Sequence, residues 1–358
     1  MIIALLLMGC DRPDVLAAEP PAAPAPPAVQ PAAVQPAALQ PDVAARADNI
    51  RIVFAGNFDG TGTCRKKALT GCDIYMAEYD LSRDTVRSVS ALVGRKDVAE
   101  DFPVVDPQGR YVIYQEEAER GHVLKYVIPE TLKQGTIADH AREVALSMEG
   151  DMIGYTHEKK RRTFDVVLRT IQVVDGEPQL GPVTKMTSND RSTEPYFFPG
   201  GDEVAFYQKG LEAFSGQTRI HNRTTGEDTA FSDPVGCAHG TVSPSGTRML
   251  CQRNSRMFTR ERASVSDPWG PLTERPFPEV SDPDFPEGCT SITKGHPEFC
   301  ASDDLLMVTY SCAKGQTLLN AQLMLFTWEG EVASLLTRRV ADTIGHTGEA
   351  RSGVCARM

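Results

Sequence analysis

The chain has 358 residues and a formal net charge of −11, with Asp and Glu outnumbering Lys and Arg 48 to 37. That balance excludes a nucleic-acid protein, which needs a basic surface to displace counterions. Nine cysteines occur without a single C-x-x-C spacing, which excludes zinc-ribbon and thioredoxin-type sites.

Residues 1–10 are almost wholly apolar and end Leu7-Met8-Gly9-Cys10. An apolar run, a small residue and then a cysteine resemble a lipoprotein signal with its lipobox, and Cys10 is the expected lipidation site. The run is far too short to span a bilayer. It also lacks a basic leader, so translation is expected to begin upstream. Residues 11–48 follow as an expected disordered tether. Ala and Pro dominate Ala17–Ala45, where Pro-Ala-Ala-Val-Gln and Pro-Ala-Ala-Leu-Gln recur, and few large apolar groups are available to offset the entropy of ordering. Closely spaced prolines favour extended polyproline II at about 3.1 Å per residue, enough to hold a folded body on the order of tens of ångströms from a membrane.

From residue 49 to 358 one phrase recurs. Phe102-Pro103-Val104-Val105 runs into the turn Asp106-Pro107-Gln108-Gly109 and then the strand Tyr111–Tyr114. Asp first, Pro to preset φ and Gly free to take positive φ make good turn chemistry. The phrase returns at Glu143–Gly150, Glu194–Gly201, His239–Gly246 and His296–Cys300, each followed by a short apolar strand, with starts roughly 40 to 57 residues apart. A third short strand comes next, as at Asp73-Ile74-Tyr75, Leu124-Lys125-Tyr126, Asp165-Val166-Val167 and Thr218-Arg219-Ile220. Four antiparallel strands per unit at this period are the signature of a β-propeller. About 310 residues suit six blades.

The phrase E-P-x-x-S-P-x-G, then a strand, a loop and D-I-Y, resembles the TolB-type propeller repeat over about Asn49 to Met358. The resemblance implies an all-β, six-bladed propeller of four-stranded blades. The first unit starts with Ile52-Val53-Phe54, a second strand without its first. His346–Gly353 sits in register with His239–Gly246, so the C-terminal segment is expected to supply the missing inner strand and close the ring.

With Cys10 lipidated, eight cysteines remain, an even number in a chain aimed outside the cytoplasm. Cys237 and Cys251 flank the Pro244 turn on facing strands and are expected to bridge. Cys64 and Cys72 are expected to staple an insertion in the first hairpin. Cys289, Cys300, Cys312 and Cys355 cannot be paired from sequence.

Basic residues concentrate in the loops between second and third strands: Arg65, Lys66 and Lys67 in blade one, Lys159, Lys160, Arg161 and Arg162 in blade three, and Arg253, Arg256, Arg260 and Arg262 in blade five. These loops emerge beside the start of the innermost strands, so one face of an acidic body is expected to be positive and to suit an anionic ligand. The residues opening the innermost strands, Phe102, Glu143, Glu194, His239, His296 and His346, are expected around the channel mouth. Three His with two carboxylates suggest a divalent metal, zinc or manganese, on His239, His296, His346, Glu143 and Glu194.

No G-x-S-x-G, H-E-x-x-H or P-loop occurs. The expected function is therefore a membrane-anchored, periplasmic-side envelope propeller that binds a protein or ligand through its loop face, in preference to an enzyme. The alternative is a metal-dependent polysaccharide lyase similar to oligogalacturonate lyases, acting on an acidic sugar polymer. Anchoring is testable directly. Expressed with its native start, the Cys10→Ala protein is expected to move from membranes into the soluble envelope fraction. Identical fractionation of the two proteins would overturn the lipoprotein expectation.

Overall fold

The computed structural model describes residues 49–58, 72–94, 98–119, 121–160, 163–210, 216–231, 237–253, 256–277, 285, 288–300, 302–315, 317–346 and 349–357. The expected leader and tether, and Cys64, Arg65, Lys66, Lys67, Arg161 and Arg162, lie outside these residues.

Six antiparallel sheets follow one another along the chain. The first holds β1 (Asn49–Asn57), β2 (Asp73–Asp80) and β3 (Thr85–Val93). The second runs β4 (Glu100–Val105), β5 (Val112–Ala118), β6 (Gly121–Val127) and β7 (Gln134–Asp139). The third has β8 (Ala141–Leu146), β9 (Met152–Lys160) and a long β10 (Thr163–Val174), which pairs with both β11 (Glu177–Leu180) and β12 (Thr184–Lys185). The fourth is β13 (Ser192–Phe197), β14 (Glu203–Lys209), β15 (Gly216–Asn222) and β16 (Asp228–Ala230), and the fifth β17 (Ala238–Val242), β18 (Arg248–Arg253), β19 (Arg256–Glu261) and β20 (Thr273–Arg275). The sixth is β21 (Ser291–Phe299), β22 (Leu305–Lys314), β23 (Thr317–Thr327) and β24 (Val332–Ser334). A helix, α1 (Leu336–Ile344), then leads to β25 (Glu349–Arg357), which pairs with β1 and completes the first sheet. This is a six-bladed β-propeller closed by its C-terminal strand.

The turns between first and second strands carry the expected chemistry. Gly109 donates its N–H to the Asp106 carbonyl at 2.7 Å, and Gly150, Gly201 and Gly246 donate likewise to Ser147, Phe198 and Ser243. All four glycines sit at positive φ, where a side chain would be strained. The buried Asp106 carboxylate accepts from Arg110 Nε at 2.8 Å and Nη2 at 2.7 Å, which fixes the turn from inside.

Packing occurs between neighbouring blades. Ile52, Phe54 and Tyr79 of blade one are buried against Met307, Leu323 and Leu325 of blade six, and α1 adds Leu336 and Val340 to the same cluster. The sequence reading did not anticipate α1. Its end is marked by Gly345 in the left-handed region, which donates to the Ala341 carbonyl at 2.8 Å. Arg339 of α1 donates to Asp84 at 3.1 Å, and the Tyr79 hydroxyl donates to the same carboxylate.

Cys237 and Cys251 bridge as expected. Cys289 pairs with Cys312, and Cys300 with Cys355. Cys72 is disulfide-bonded too, while the Cys64 half of the expected staple lies outside the described residues. Cys300–Cys355 ties the end of β21 to β25, so the seam between the last blade and the first is covalent. No helix of the described residues is long and apolar enough to cross a membrane.

The seam bridge closes a 55-residue separation. In the chain-entropy account, opening such a loop costs about 4 kcal/mol of stability. Cys355→Ala is expected to lower the urea midpoint under oxidising conditions accordingly. An unchanged midpoint would show that hydrogen bonds alone secure the closure.

Candidate functional site

Every innermost strand breaks register once. The breaks lie between Asp101 and Val104, Arg142 and Ala145, Thr193 and Tyr196, Ala238 and Thr241, and Gly295 and Glu298, and β25 breaks opposite Phe54/Ala55. At each bulge one residue takes the left-handed conformation: Phe102 at φ 47°, Glu143 at 50°, Glu194 at 56°, His239 at 49°, His296 at 50° and Ser352 at 48°. A non-glycine residue there costs roughly 1–3 kcal/mol and persists only where its surroundings enforce it.

The enforcement comes from the preceding blade. A bulge frees the backbone N–H from the ladder, and a neighbouring side chain accepts it. Glu143 donates to Gln115 Oε1 at 3.3 Å, Glu194 to Thr156 Oγ1 at 3.0 Å, His239 to the Glu194 carboxylate at 2.8 Å and His296 to Gln252 Oε1 at 3.0 Å. Gln252 also donates to the Lys294 carbonyl at 2.9 Å, bracketing Gly295. A Cβ on Gly295 would lie 2.8 Å from Gln252 Oε1, so glycine is what lets that amide reach across.

The six bulges ring an axial cavity of about 540 Å³. The residue two positions on faces the axis again, because side chains alternate along a strand. That second ring is Val104, Ala145, Tyr196, Thr241, Glu298 and Val354. The lining mixes polar side chains, Glu143, Glu194, His239, His296, Thr241 and Glu298, with apolar ones, Phe102, Val104, Ala145, Leu146 and Val354, and Phe102 meets His296 edge to face with ring centroids 5.6 Å apart.

The carboxyls differ in what they touch. Glu194 accepts the His239 N–H and lies 3.4 Å from His239 Nδ1. Glu143 accepts from Thr156 Oγ1 at 2.9 Å and pairs with Arg142 at 3.2 Å, yet burial first and the neighbouring Glu194 second push its pKa up. Glu298 accepts from the Thr241 hydroxyl at 2.9 Å. Burial in the cavity wall raises its pKa to about 8, with Thr241 opposing only weakly.

The structure brings together only part of the expected site. His346 is not a ring residue. It follows α1, and β25 is offset so that Ser352 occupies the place held by His239 and His296 elsewhere. The expected zinc or manganese site is not formed either. The His239 and His296 rings meet at a tilt with centroids 4.4 Å apart, Glu143 and Glu194 are engaged in the contacts above, and the described residues hold no group of three side chains placed to share a metal ion. The lyase alternative, which leaned on that site, loses its support.

The expected basic face lies only partly within the described residues, and two of its members belong elsewhere. Lys159 pairs with Asp165 and with Asp190 at 2.6 Å, and Arg256 pairs with Glu274 at 3.2 Å. Lys160 ends β9 and Arg253 ends β18, both on the expected face. Arg260 and Arg262 belong to the opposite face, since Arg260 pairs in register with Met249 near the start of β18. The Arg262 side chain is 4% exposed, pairs with Glu203 at 3.4 Å and lies over Trp269. Of the described basic residues, Lys159, Arg256 and Arg262 are thus paired with carboxylates.

Glu298 and Tyr196 were missed from sequence. Glu298 stands two places after His296 in the same repeated phrase, and the period of two that identified the strand also aims it at the axis.

No family model matches the chain, and no curated protein does. Solved structures match at high probability. TolB from Acinetobacter baumannii aligns with a TM-score of 0.57 and 14% identity, over 86% of this chain and 66% of that one, so this chain spans just under two thirds of its length. A TolB-designated protein from Agrobacterium tumefaciens gives 0.52 and 12%, over 87% of this chain and 98% of that one. A chain of a nidogen/laminin complex gives 0.55 and 9%, over 86% and 98%. The fold is that of the TolB-like six-bladed propellers.

Glu298 has a consequence for stability. It keeps its proton in the folded protein up to about pH 8, against 4.5 for an ordinary glutamate. Between those values the folded state binds the extra proton, so its contribution is full below 4.5 and is lost as pH rises through 8, with a slope of up to about 1.4 kcal/mol per pH unit. Glu298→Gln, which cannot ionise, is expected to flatten the stability curve between pH 5 and 8 relative to wild type in urea titrations. Parallel curves would refute the assignment.

Proposed function

We propose that this chain is a cell-envelope binding module, tethered to a membrane through Cys10, that takes a segment of a partner protein at the mouth of its propeller channel. The single observation that carries the reading is the axial cavity: about 540 Å³, within the roughly 300–1,000 Å³ typical of ligand sites, and lined by both polar and apolar side chains. Its lining is rigid, because the first-ring residues are fixed by bonds from neighbouring blades. The channel mouth is open enough that the His239 side chain is 40% exposed.

The envelope location rests on the lipobox-like Leu7–Cys10 and on disulfides, which persist in oxidising compartments. A similar propeller fold occurs in a nidogen/laminin complex, which supports a protein partner. Carboxyls at the mouth and prior pairing of Lys159 and Arg256 argue against the anionic ligand expected from sequence.

A photo-crosslinking residue at Phe102, in the cavity lining, is expected to capture a partner in cells. The same residue at Val174, an exposed position on β10, serves as the control. Equal capture from both positions, or none from Phe102, would overturn the channel as the binding site.

A further inference from the structure

Glu298 is the one cavity carboxyl described without a charged or backbone partner. Glu143 has Arg142 and Thr156, and Glu194 has His239. Glu298 has the neutral Thr241 hydroxyl on one oxygen, and its other oxygen has no partner among the described residues. The Tyr196 ring shares the cavity at the same level, and no hydrogen bond to its hydroxyl occurs among the described residues. The groups that face this position are Glu143 on β8, Glu194 and Tyr196 on β13, His239 and Thr241 on β17, and His296 on its own strand.

Three classes of ligand group can be weighed against that lining. A carboxylate or phosphate would find no Lys or Arg among the lining residues to receive it and would sit among acidic side chains. A neutral polar group could accept a hydrogen bond from the protonated Glu298 but would draw nothing from its capacity for charge. A cation gains more: it pairs with the carboxylate, and its flat or apolar body lies against an aromatic ring. Resting on the channel reading above, we infer that the cavity seats one cationic group, the guanidinium or ammonium of an extended segment, on Glu298 with Tyr196 beside it. The proton balance is explicit. Glu298 is largely a neutral acid at pH 7, so binding leaves a carboxylate–cation pair and releases its proton to the buffer.

The test uses the full chain and the peptide acetyl-Ala-Arg-Ala-amide, with its citrulline counterpart as the uncharged isostere. Titration calorimetry in phosphate and in Tris at pH 7 measures affinity and released protons together. Wild type is expected to bind the arginine peptide at least tenfold more tightly than the citrulline peptide and to release close to one proton at pH 7 and almost none at pH 9.5. Glu298→Gln is expected to lose the tenfold preference. The pH comparison needs no variant, so the inference stays falsifiable if Glu298→Gln does not fold. Agmatine separates the sources: weaker binding than the peptide favours a protein segment, and equal binding favours a small free amine, the cation being held in either case. Equal affinity for the arginine and citrulline peptides, or no binding of either, overturns the cation. If capture from Phe102 persists in that event, the binding-module reading stands without it.

Discussion

The architecture depends on a hydrogen bond that crosses from one blade to the next and ends on a backbone N–H at the channel. Each bulge leaves a donor unpaired near the axis, and an unsatisfied buried donor costs about 1–3 kcal/mol. A side chain from the previous blade removes that cost and, in doing so, stabilises an otherwise unfavourable backbone conformation. Gln115, Thr156, Glu194 and Gln252 do this at successive junctions. Blade one has Ala55 at the equivalent place and no side chain to offer. There the Phe102 N–H turns to its own neighbour, Asp101, at 2.9 Å, and Asp101 is held by Arg351 of β25 at 2.8 Å. An ion pair across the junction thus replaces the missing amide.

This arrangement divides the polar residues of the channel. Side chains that fasten blades are committed before any ligand arrives, which is why Glu194 is poorly suited to bind one. Glu143 is similarly engaged through Thr156, whose hydroxyl donates to Glu143 and accepts from the Glu194 N–H in one chain of bonds. More chemical capacity is left to the side chains of the second ring, where backbone pairing resumes and Glu298 spends only one oxygen on the neighbouring blade, accepting from Thr241. Burial then sets their character, as with the raised pKa of Glu298 and that of Tyr196, which burial and the surrounding carboxyls push well above its usual range.

The fold was legible because its signals are local. The Asp106–Gly109 turn, the short β-branched strands and their recurrence give blade and count without tertiary knowledge. The missing first strand before Ile52 correctly located the closure, although not its register: aligning on His346 matched a residue type, whereas what β25 repeats is a backbone position, and Ser352 carries no signature of that. The helix escaped because a nine-residue segment with little propensity of its own is stabilised by burying Leu336 and Val340 in a cluster built from both ends of the chain. The grouping of basic residues failed at Arg262 for a related reason. Charge on paper says nothing of a guanidinium buried between Trp269 and Glu203. The site was half legible. First-ring positions followed from the repeat, but which of them were already engaged depended on contacts between blades.

Strand β1 has one further property. It is hydrogen-bonded on both sides, to β2 along Asn49–Gly56 and to β25 along Ile50–Asn57. Tension applied from the N-terminal side of Asn49 therefore acts along a strand gripped by two neighbours, one of them riveted to blade six through Cys355 and Cys300. Bonds loaded parallel to a strand must break together, whereas an edge strand peels one bond at a time. Under the proposed N-terminal anchoring, a mechanical pull would meet the part of the structure best built to resist it.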